Sequence, residues 1–125
     1  MIFDTDVMIW FLRGNDKASD AIVENLPFSI SVVTYMELIQ GMRDKRELEK
    51  MKKSLREMDV KIIPLTERIS LHASKYVEEH FLGNSLELAD ALIAATCIEY
   101  NDTIFTANDK HYKVIPGLKM EVFRP

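Results

Sequence analysis

The chain has 125 residues, of which 47% are hydrophobic and 29% are charged, with only 4 glycines and 4 prolines. This length and composition suit one globular domain and exclude disordered, collagen-like and low-complexity sequence. With 16 basic and 20 acidic residues the net charge is −4, which disfavours a protein that binds duplexes non-specifically.

The N-terminal half predicts two strands that are each followed by helices. Residues 1–3 form a short apolar run that predicts a first strand, and residues 5–12 predict a helix that ends before Gly14, where a left-handed C-cap is favourable. Residues 18–25 predict a second helix, capped by Asn15 or Asp16 and stopped by Pro27. The β-branched segment 28–33 predicts strand two, and helices are expected over 34–42 and 44–58.

The C-terminal half repeats this alternation. Residues 60–63 predict strand three, and Thr66 is expected to cap the next helix. Residues 83–85 break the chain before a helix over 88–100, which is apolar enough that we expect burial on nearly all sides. Residues 103–106 and 119–123 predict the last two strands. Strands that alternate with helices indicate a three-layer α/β/α sandwich with a mostly parallel central sheet.

Cysteine content and hydropathy exclude further classes of protein. Cys97 is the only cysteine, so a disulfide framework and a thiolate zinc site are excluded. No apolar run reaches the length of a membrane span, and the N-terminal residues lack the basic stretch of a secretory signal. We therefore expect a single domain over residues 1–125 that is soluble, cytoplasmic and independent of membranes.

Three acids lie in segments that supply no basic partner. Asp4 closes the first strand, Glu37 lies in the helix after strand two, and Asp90 lies in the apolar helix. A buried carboxylate loses several kcal/mol of solvation unless something compensates its charge. A divalent cation can neutralise several carboxylates at once, and oxygen ligands without cysteine or paired histidines suit Mg²⁺ or Mn²⁺.

The predicted topology brings these acids to one edge of the sheet. Ligands of open α/β sheets collect outside the carboxyl ends of the strands, and Asn108, Asp109 and His111 follow the end of strand four. Each acid also has a structural interpretation. Asp4 and Asp90 could be helix N-caps, Glu37 could lie on an amphipathic helix face, and Asp109 could be a surface-loop acid. The convergence of all of them favours a site.

One segment departs from the overall acidity. Residues 43–56 contain seven basic and three acidic side chains, a local balance of +4. A solvated helix face is one interpretation. The other is a basic rim that holds a nucleic-acid backbone, with Arg43, Lys45 and Arg46 as candidate contacts.

Four motifs resemble those of the PIN-domain family, and within it the VapC-type toxin ribonucleases of type II toxin–antitoxin systems. They are IFDTDV at 2–7, SVVTYMELIQG at 31–41, LADALIAAT at 88–96 and IFTANDKHY at 104–112. The resemblance covers nearly the whole chain. It implies a Mg²⁺-dependent endoribonuclease, with Mn²⁺ as the alternative ion, that forms a homodimer and is held inactive by a cognate VapB-type antitoxin.

The resemblance also assigns roles to residues. Asp4, Glu37 and Asp90 match the three invariant acids of the family. Its fourth acid occurs two or five residues after a threonine, where this chain has Asn108 and His111. Asp109 lies between them and is the candidate for the fourth acid, and the alternatives are a water in its place or no fourth ligand. The residues expected to order the site are Thr5, Thr106 and Asn108.

We expect hydrolysis of an RNA phosphodiester by a metal-activated water. Asp4 and Asp90 would be the principal metal ligands, and Glu37 would bind through water or orient the attacking water. Two alternatives remain open: an RNA-processing PIN nuclease outside a toxin–antitoxin system, and an inactive PIN module that binds proteins. A haloacid-dehalogenase phosphatase is disfavoured because little chain follows Thr106 to hold its later motifs.

Overall fold

The computed structural model describes residues 1–83 and 85–125, which form a parallel sheet with helices on both faces. The strands are β1 (Ile2–Phe3), β2 (Ser29–Ser31), β3 (Lys61–Ile63), β4 (Ile104–Thr106) and β5 (Met120–Val122). The helices are α1 (Thr5–Leu12), α2 (Asp16–Glu24), α3 (Val32–Gln40), α4 (Lys45–Glu57), α5 (Glu67–His80), α6 (Leu88–Glu99) and α7 (Asp109–Tyr112). The strands pair in the order β3-β2-β1-β4-β5, and each neighbouring pair is parallel. The predicted three-layer α/β/α fold is confirmed.

Alternation along the central strands builds the two hydrophobic layers. Ile2 and Ile104 belong to the cluster that packs under α5 and α6, whereas Phe3 and Phe105 belong to the cluster under α1, α2 and α4. Successive strand residues point to opposite faces, so one strand serves both layers. Phe3 is fully buried and its ring centroid lies 4.1 Å from that of Phe28 and 4.9 Å from that of Phe105.

Local signals explain where most of the helices begin and end. Asn15 caps α2 by accepting a hydrogen bond from the Ala18 amide at 2.9 Å, which decides between the two predicted caps. Thr66 accepts from the Ile69 amide at 3.2 Å and caps α5 as predicted. Gly14 follows α1 with φ +85°, the left-handed conformation that glycine adopts without strain.

The predicted boundary between strand two and the next helix was wrong. Strand β2 ends at Ser31, and Val32 and Val33 belong to α3 rather than to the strand. The hydroxyl of Ser31 accepts from the Val33 amide at 3.1 Å, which makes Ser31 an N-cap and starts the helix early. A capping side chain here overrides the strand propensity of the β-branched pair.

Two further expectations need correction. The two ends of α6 are not buried on all sides, because Leu88 is 69% exposed and Ile98 and Glu99 are half-buried, so full burial is confined to residues 91 and 93–97. The segment after β4, expected as a loop, contains the short helix α7. In the predicted break at 83–85, Asn84 lies outside the described residues. No helix within the described ranges is long and apolar enough to cross a bilayer.

The strand order places a crevice beside β1. The chain runs from β1 outward through β2 to β3, and then returns to β4 on the other side of β1. Such a reversal leaves a crevice at the carboxyl ends of the strands, where ligands of open α/β sheets bind. Asp4 follows β1 at this point, and its amide donates to the Phe105 carbonyl at 2.9 Å.

We predict that Phe3→Ala lowers the free energy of unfolding by about 3–5 kcal/mol, because it leaves a cavity between two other rings. Phe81→Ala is the matched control, since that ring is 71% exposed and should change stability by no more than about 0.5 kcal/mol. Urea denaturation measures both. Equal losses in the two variants would contradict the packing described here.

Candidate active site

Asp4 is the most deeply buried acid of the described chain. It is 4% exposed, and its carboxylate is held at both oxygens. The Thr5 amide donates to Oδ1 at 2.8 Å, and the Thr106 hydroxyl donates to Oδ2 at 2.7 Å. The same Thr106 hydroxyl accepts from the Asn108 amide at 2.9 Å. Asp4 therefore does cap α1, as its structural interpretation proposed, and it also lies at the centre of a polar network.

Burial and a neighbouring acid raise the pKa of Asp4 to about 7. Desolvation is the larger cause, and the negative charge of Asp6 adds to it. The hydrogen bonds from Thr106 and Thr5 act in the opposite direction because they favour the ionised form. The metal-free protein therefore compensates the charge of Asp4 poorly, and this carboxyl group is only partly ionised near neutral pH.

Asp6 is a member of the site that the sequence did not reveal. It lies in the first turn of α1, where an acid is ordinary, and was not singled out. In the structure its Oδ2 accepts from the Ala107 amide at 3.0 Å and its Oδ1 from the Val7 amide at 2.7 Å. Burial raises its pKa, and the charge of Asp90 adds to the rise.

Asp90 joins the site from the first turn of α6. Its side chain is 13% exposed, and Oδ2 accepts from the Glu87 amide at 2.9 Å, an arrangement that also helps to cap the helix. The Nδ1 atom of His111 lies 3.0 Å from the same oxygen. When Asp90 is ionised, this contact is a hydrogen bond if Nδ1 carries the proton. His111 thus lies beside a predicted ligand, in direct contact with it.

Glu37 reaches the site through hydroxyl groups. The Thr5 hydroxyl lies 2.7 Å from Glu37 Oε1 and 3.0 Å from the hydroxyl of Thr34, which is fully buried. One hydroxyl carries one proton, so Thr5 donates to the carboxylate and accepts from Thr34. Because the Thr5 amide also bonds to Asp4, a single residue links the two acids. Thr5, which we expected to order the site, lies between the two acids, and Thr34, which the sequence analysis did not name, contacts it.

The structure does not bring Asp109 into this cluster. Its Oδ1 accepts from Arg124 Nη2 at 2.8 Å, and Arg124 Nη1 donates to the Ala107 carbonyl at 2.9 Å. The guanidinium lowers the pKa of Asp109. The prediction that Asp109 serves as the fourth acid therefore meets a physical obstacle, because an ion pair with the C-terminal segment already holds the carboxylate. The side chain of Asn108 is exposed, and it is the backbone amide of this residue that donates to the Thr106 hydroxyl.

Tyr112 adds a fully buried hydroxyl that lies beside Asp4. The side chain is 0% exposed, and its hydroxyl makes no hydrogen bond of normal geometry to the described residues. Burial raises its pKa well above the usual value, and the charges of Asp4 and Asp90 raise it further. An orphaned buried hydroxyl is uncommon in a native protein and indicates a missing partner at this position.

The donor chemistry of the cluster fits a divalent cation, although the ligand set is not preformed. Within residues 1–83 and 85–125, no three carboxylate, imidazole or thiol groups already lie in position to hold one ion. Asp4 and Asp90 nevertheless offer the hard oxygen donors that Mg²⁺ and Mn²⁺ prefer. In the described part of the chain no lysine or arginine forms an ion pair with them. The orphaned Tyr112 hydroxyl beside them gives the same indication.

The predicted rim residues divide into two groups. Arg43 and Arg46 line a cavity of about 430 Å³ beside α4. A second cavity of about 230 Å³ reaches Glu37, and the two share Met42 as a wall residue. Lys45 is exposed and lines neither of these two cavities. A groove with basic side chains at one end thus leads toward the acidic cluster.

Comparison with known proteins gives a consistent result. A family model described as the PIN domain matches residues 1–118. The curated protein Ribonuclease VapC10 of Mycobacterium tuberculosis is 35% identical over 128 residues, which cover 95% of this chain and 90% of that protein.

Solved structures show the same likeness. A toxin–antitoxin complex from Klebsiella pneumoniae contains a chain that is 27% identical with a TM-score of 0.79, covering 94% of this chain and 93% of that one. A DNA-bound VapBC from Salmonella typhimurium matches with a TM-score of 0.84 over 97% of this chain and 96% of that one, at 20% identity. At the latter identity the similarity concerns the fold alone.

We predict that the contribution of Asp4 to the stability of the metal-free protein falls as the pH rises from about 4 toward 7. Its pKa is higher in the folded than in the unfolded chain, so its contribution is fully present at low pH and lost as the buried carboxyl ionises. Asp4→Asn should reduce the difference in unfolding free energy between about pH 5 and pH 8 by about 1–3 kcal/mol. Asp20→Asn, at an exposed position on α2, is the control and should leave the difference unchanged. Urea titrations with a chelator present measure both variants, and an undiminished difference in Asp4→Asn would contradict the assignment.

Proposed function

Since the chain belongs to the PIN-domain family, we propose that it is a metal-dependent endoribonuclease and the toxin of a toxin–antitoxin pair. Its 35% sequence identity to a ribonuclease, over 95% of this chain, supports the proposed activity. The similarity to a chain of a toxin–antitoxin complex supports a VapB-type antitoxin as the partner. The observation that carries the proposal is the buried Asp4 carboxylate, crowded by other acids and paired with no lysine or arginine of the described chain.

Asp4 and Asp90 are the residues proposed to hold the metal. A divalent cation, Mg²⁺ or Mn²⁺, would supply positive charge against the scissile phosphate and lower the pKa of the attacking water. Hydrogen bonds from Thr5 and Thr106 hold the Asp4 carboxylate in one orientation. The Glu87 amide does the same for Asp90.

Glu37 is proposed to orient the attacking water. Its Oε1 is fixed by the Thr5 hydroxyl at 2.7 Å, which leaves the second carboxylate oxygen available to accept from a water molecule. Thr34 is buried behind Thr5 and secures that hydroxyl. Glu37 lines the groove through which a substrate would approach. Its location therefore suits a residue that meets the substrate side of the site rather than its buried side.

The RNA strand is proposed to lie along the groove beside α4. Arg43 is 86% exposed, and its guanidinium is paired with Glu47 at 3.0 Å on one side. Arg43 and Arg46 would contact phosphates. They would supply a local positive charge on a chain whose net charge is −4. Phosphate contacts of this kind position a strand without reading its sequence.

Two further properties of the proposal come from the family resemblance. We propose that the protein is a homodimer, and the groove of about 340 Å³ between α5 and α6, bordered by the exposed Leu88, offers an apolar surface for a second copy. We also propose a cytoplasmic location, which is where an RNA-cleaving toxin and its antitoxin would meet.

We predict that Asp90→Asn lowers Mg²⁺-dependent cleavage of RNA by about 10²-fold or more, since it removes a charged ligand of the proposed metal. The fold should survive, because the amide oxygen can still accept from Glu87. Cleavage of a labelled RNA, with and without a chelator, measures the effect. The exposed Asp20→Asn serves as the control and should cleave normally. Full activity in Asp90→Asn, or cleavage that persists in the chelator, would contradict the proposal.

We predict that expression of the chain in a bacterial host arrests growth, whereas Asp90→Asn does not. Growth curves of matched induced cultures measure this, with immunoblots to show equal expression. Normal growth together with RNA cleavage in vitro would favour an RNA-processing PIN nuclease outside a toxin–antitoxin system. Normal growth without cleavage would favour an inactive module that only binds proteins.

A further inference from the structure

We propose that Asp6 is the fourth carboxylate of the metal centre, taking the place of an acid from the segment after β4. This inference rests on the proposed function, since it concerns which residues hold the cation. It assigns the fourth acid to the first turn of α1, two residues after Asp4, and it removes Asp109 from the ligand set.

The segment after β4 supplies no free carboxylate to the centre. Asp109 is its only acid, and that side chain is held by Arg124 at 2.8 Å. Arg124 is itself anchored to the Ala107 carbonyl, so the pair joins the C-terminal segment to the start of α7. Releasing Asp109 would break both the ion pair and this connection. The neighbouring position holds the neutral Asn108, and His111 is engaged with Asp90.

Asp6 is placed where the missing acid is needed. Amide donors from Val7 and Ala107 fix its two oxygens, so the carboxylate has a defined position, and each oxygen keeps a further lone pair for a ligand. Its charge raises the pKa of Asp4, and the charge of Asp90 raises the pKa of Asp6, although no three acids of the described chain already lie in position to hold one ion. No lysine or arginine within the described ranges forms an ion pair with Asp6.

A second observation, made on a neutral side chain, points to a ligand position among these groups. The hydroxyl of Tyr112 is completely buried beside Asp4, close to the charges of Asp90 and Asp6, and it makes no hydrogen bond of normal geometry to the described residues. A cation held by the three carboxylates would compensate their charge, which the acids alone leave uncompensated.

The source of the fourth acid has a mechanical consequence. Asp6 lies on a helix whose start is fixed to the central strand, whereas an acid in the segment after β4 would depend on how that segment folds. The Ala107 amide donates to Asp6, so α1 helps to position the segment after β4, and Asp6 does not depend on how that segment folds. A site built on regular elements holds its ligands more precisely than a site on loops.

The test is Mn²⁺ binding by isothermal titration calorimetry to the full chain and its variants. Asp6→Asn should weaken Mn²⁺ binding by about tenfold or more, whereas Asp109→Asn should stay within about twofold of the wild type. Asp6→Ser, which keeps a short acceptor for the Ala107 amide, should weaken binding as Asp6→Asn does and serves if the latter misfolds. Asp6→Glu restores the charge and should bind Mn²⁺ more tightly than Asp6→Asn. Thermal unfolding without metal establishes that each variant is folded.

The outcomes separate this inference from the proposed function. Wild-type affinity in Asp6→Asn, an equal loss in Asp109→Asn, or no recovery in Asp6→Glu would overturn the assignment of Asp6. If Asp4→Asn abolishes Mn²⁺ binding in the same series, the metal site stands and only the identity of its fourth acid falls. A wild-type protein that binds no Mn²⁺ would overturn both.

Discussion

The desolvated carboxylate of Asp4 is the constraint around which this end of the molecule is organised. The β1 strand beneath it is central to the sheet and fully buried, and Asp4, which follows directly, is therefore also shielded from solvent. Two hydrogen bonds favour its ionised form, yet burial and the charge of Asp6 still raise its pKa to about 7. Such an arrangement is unfavourable for the isolated chain and becomes favourable when a cation is present. The instability at Asp4 is therefore the structural basis for its proposed function.

The topology of the sheet brings the remaining acids to the same edge as Asp4. Parallel strands end at a common edge, and the helix that follows a strand begins there. Glu37 comes from the helix after β2, Asp6 from the helix after β1, and Asp90 from the first turn of the helix that precedes β4. Asp6 and Asp90 lie in first turns, where the helix dipole favours an acid, so these two positions partly offset the cost of gathering like charges. Thr5, bonded to both Asp4 and Glu37, joins the parts into one network.

Three of the differences between expectation and structure each arise from the hydrogen bond of a single side chain. Ser31 caps α3 and converts two β-branched residues from strand to helix. Arg124 engages Asp109 and withdraws an acid that the spacing had offered to the site. Asp6, ordinary in sequence as an acid in a first turn, becomes part of the cluster through the Ala107 amide. A partner far along the chain decided the latter two cases, and no local pattern records such a partner.

The amino-acid sequence alone determined the alternation of strands and helices, the parallel three-layer fold, and the candidacy of Asp4, Glu37 and Asp90. It could do so because hydrophobic periodicity and unpaired acids in apolar segments are local properties of the chain. The tertiary structure decided which side chains share a space: Asp6 and Tyr112 lie within the cluster, whereas Asp109 lies outside it. Charges and hydrogen bonds act over a few ångströms in space. Residues a hundred positions apart, such as Asp4 and Thr106, meet only once the sheet has formed.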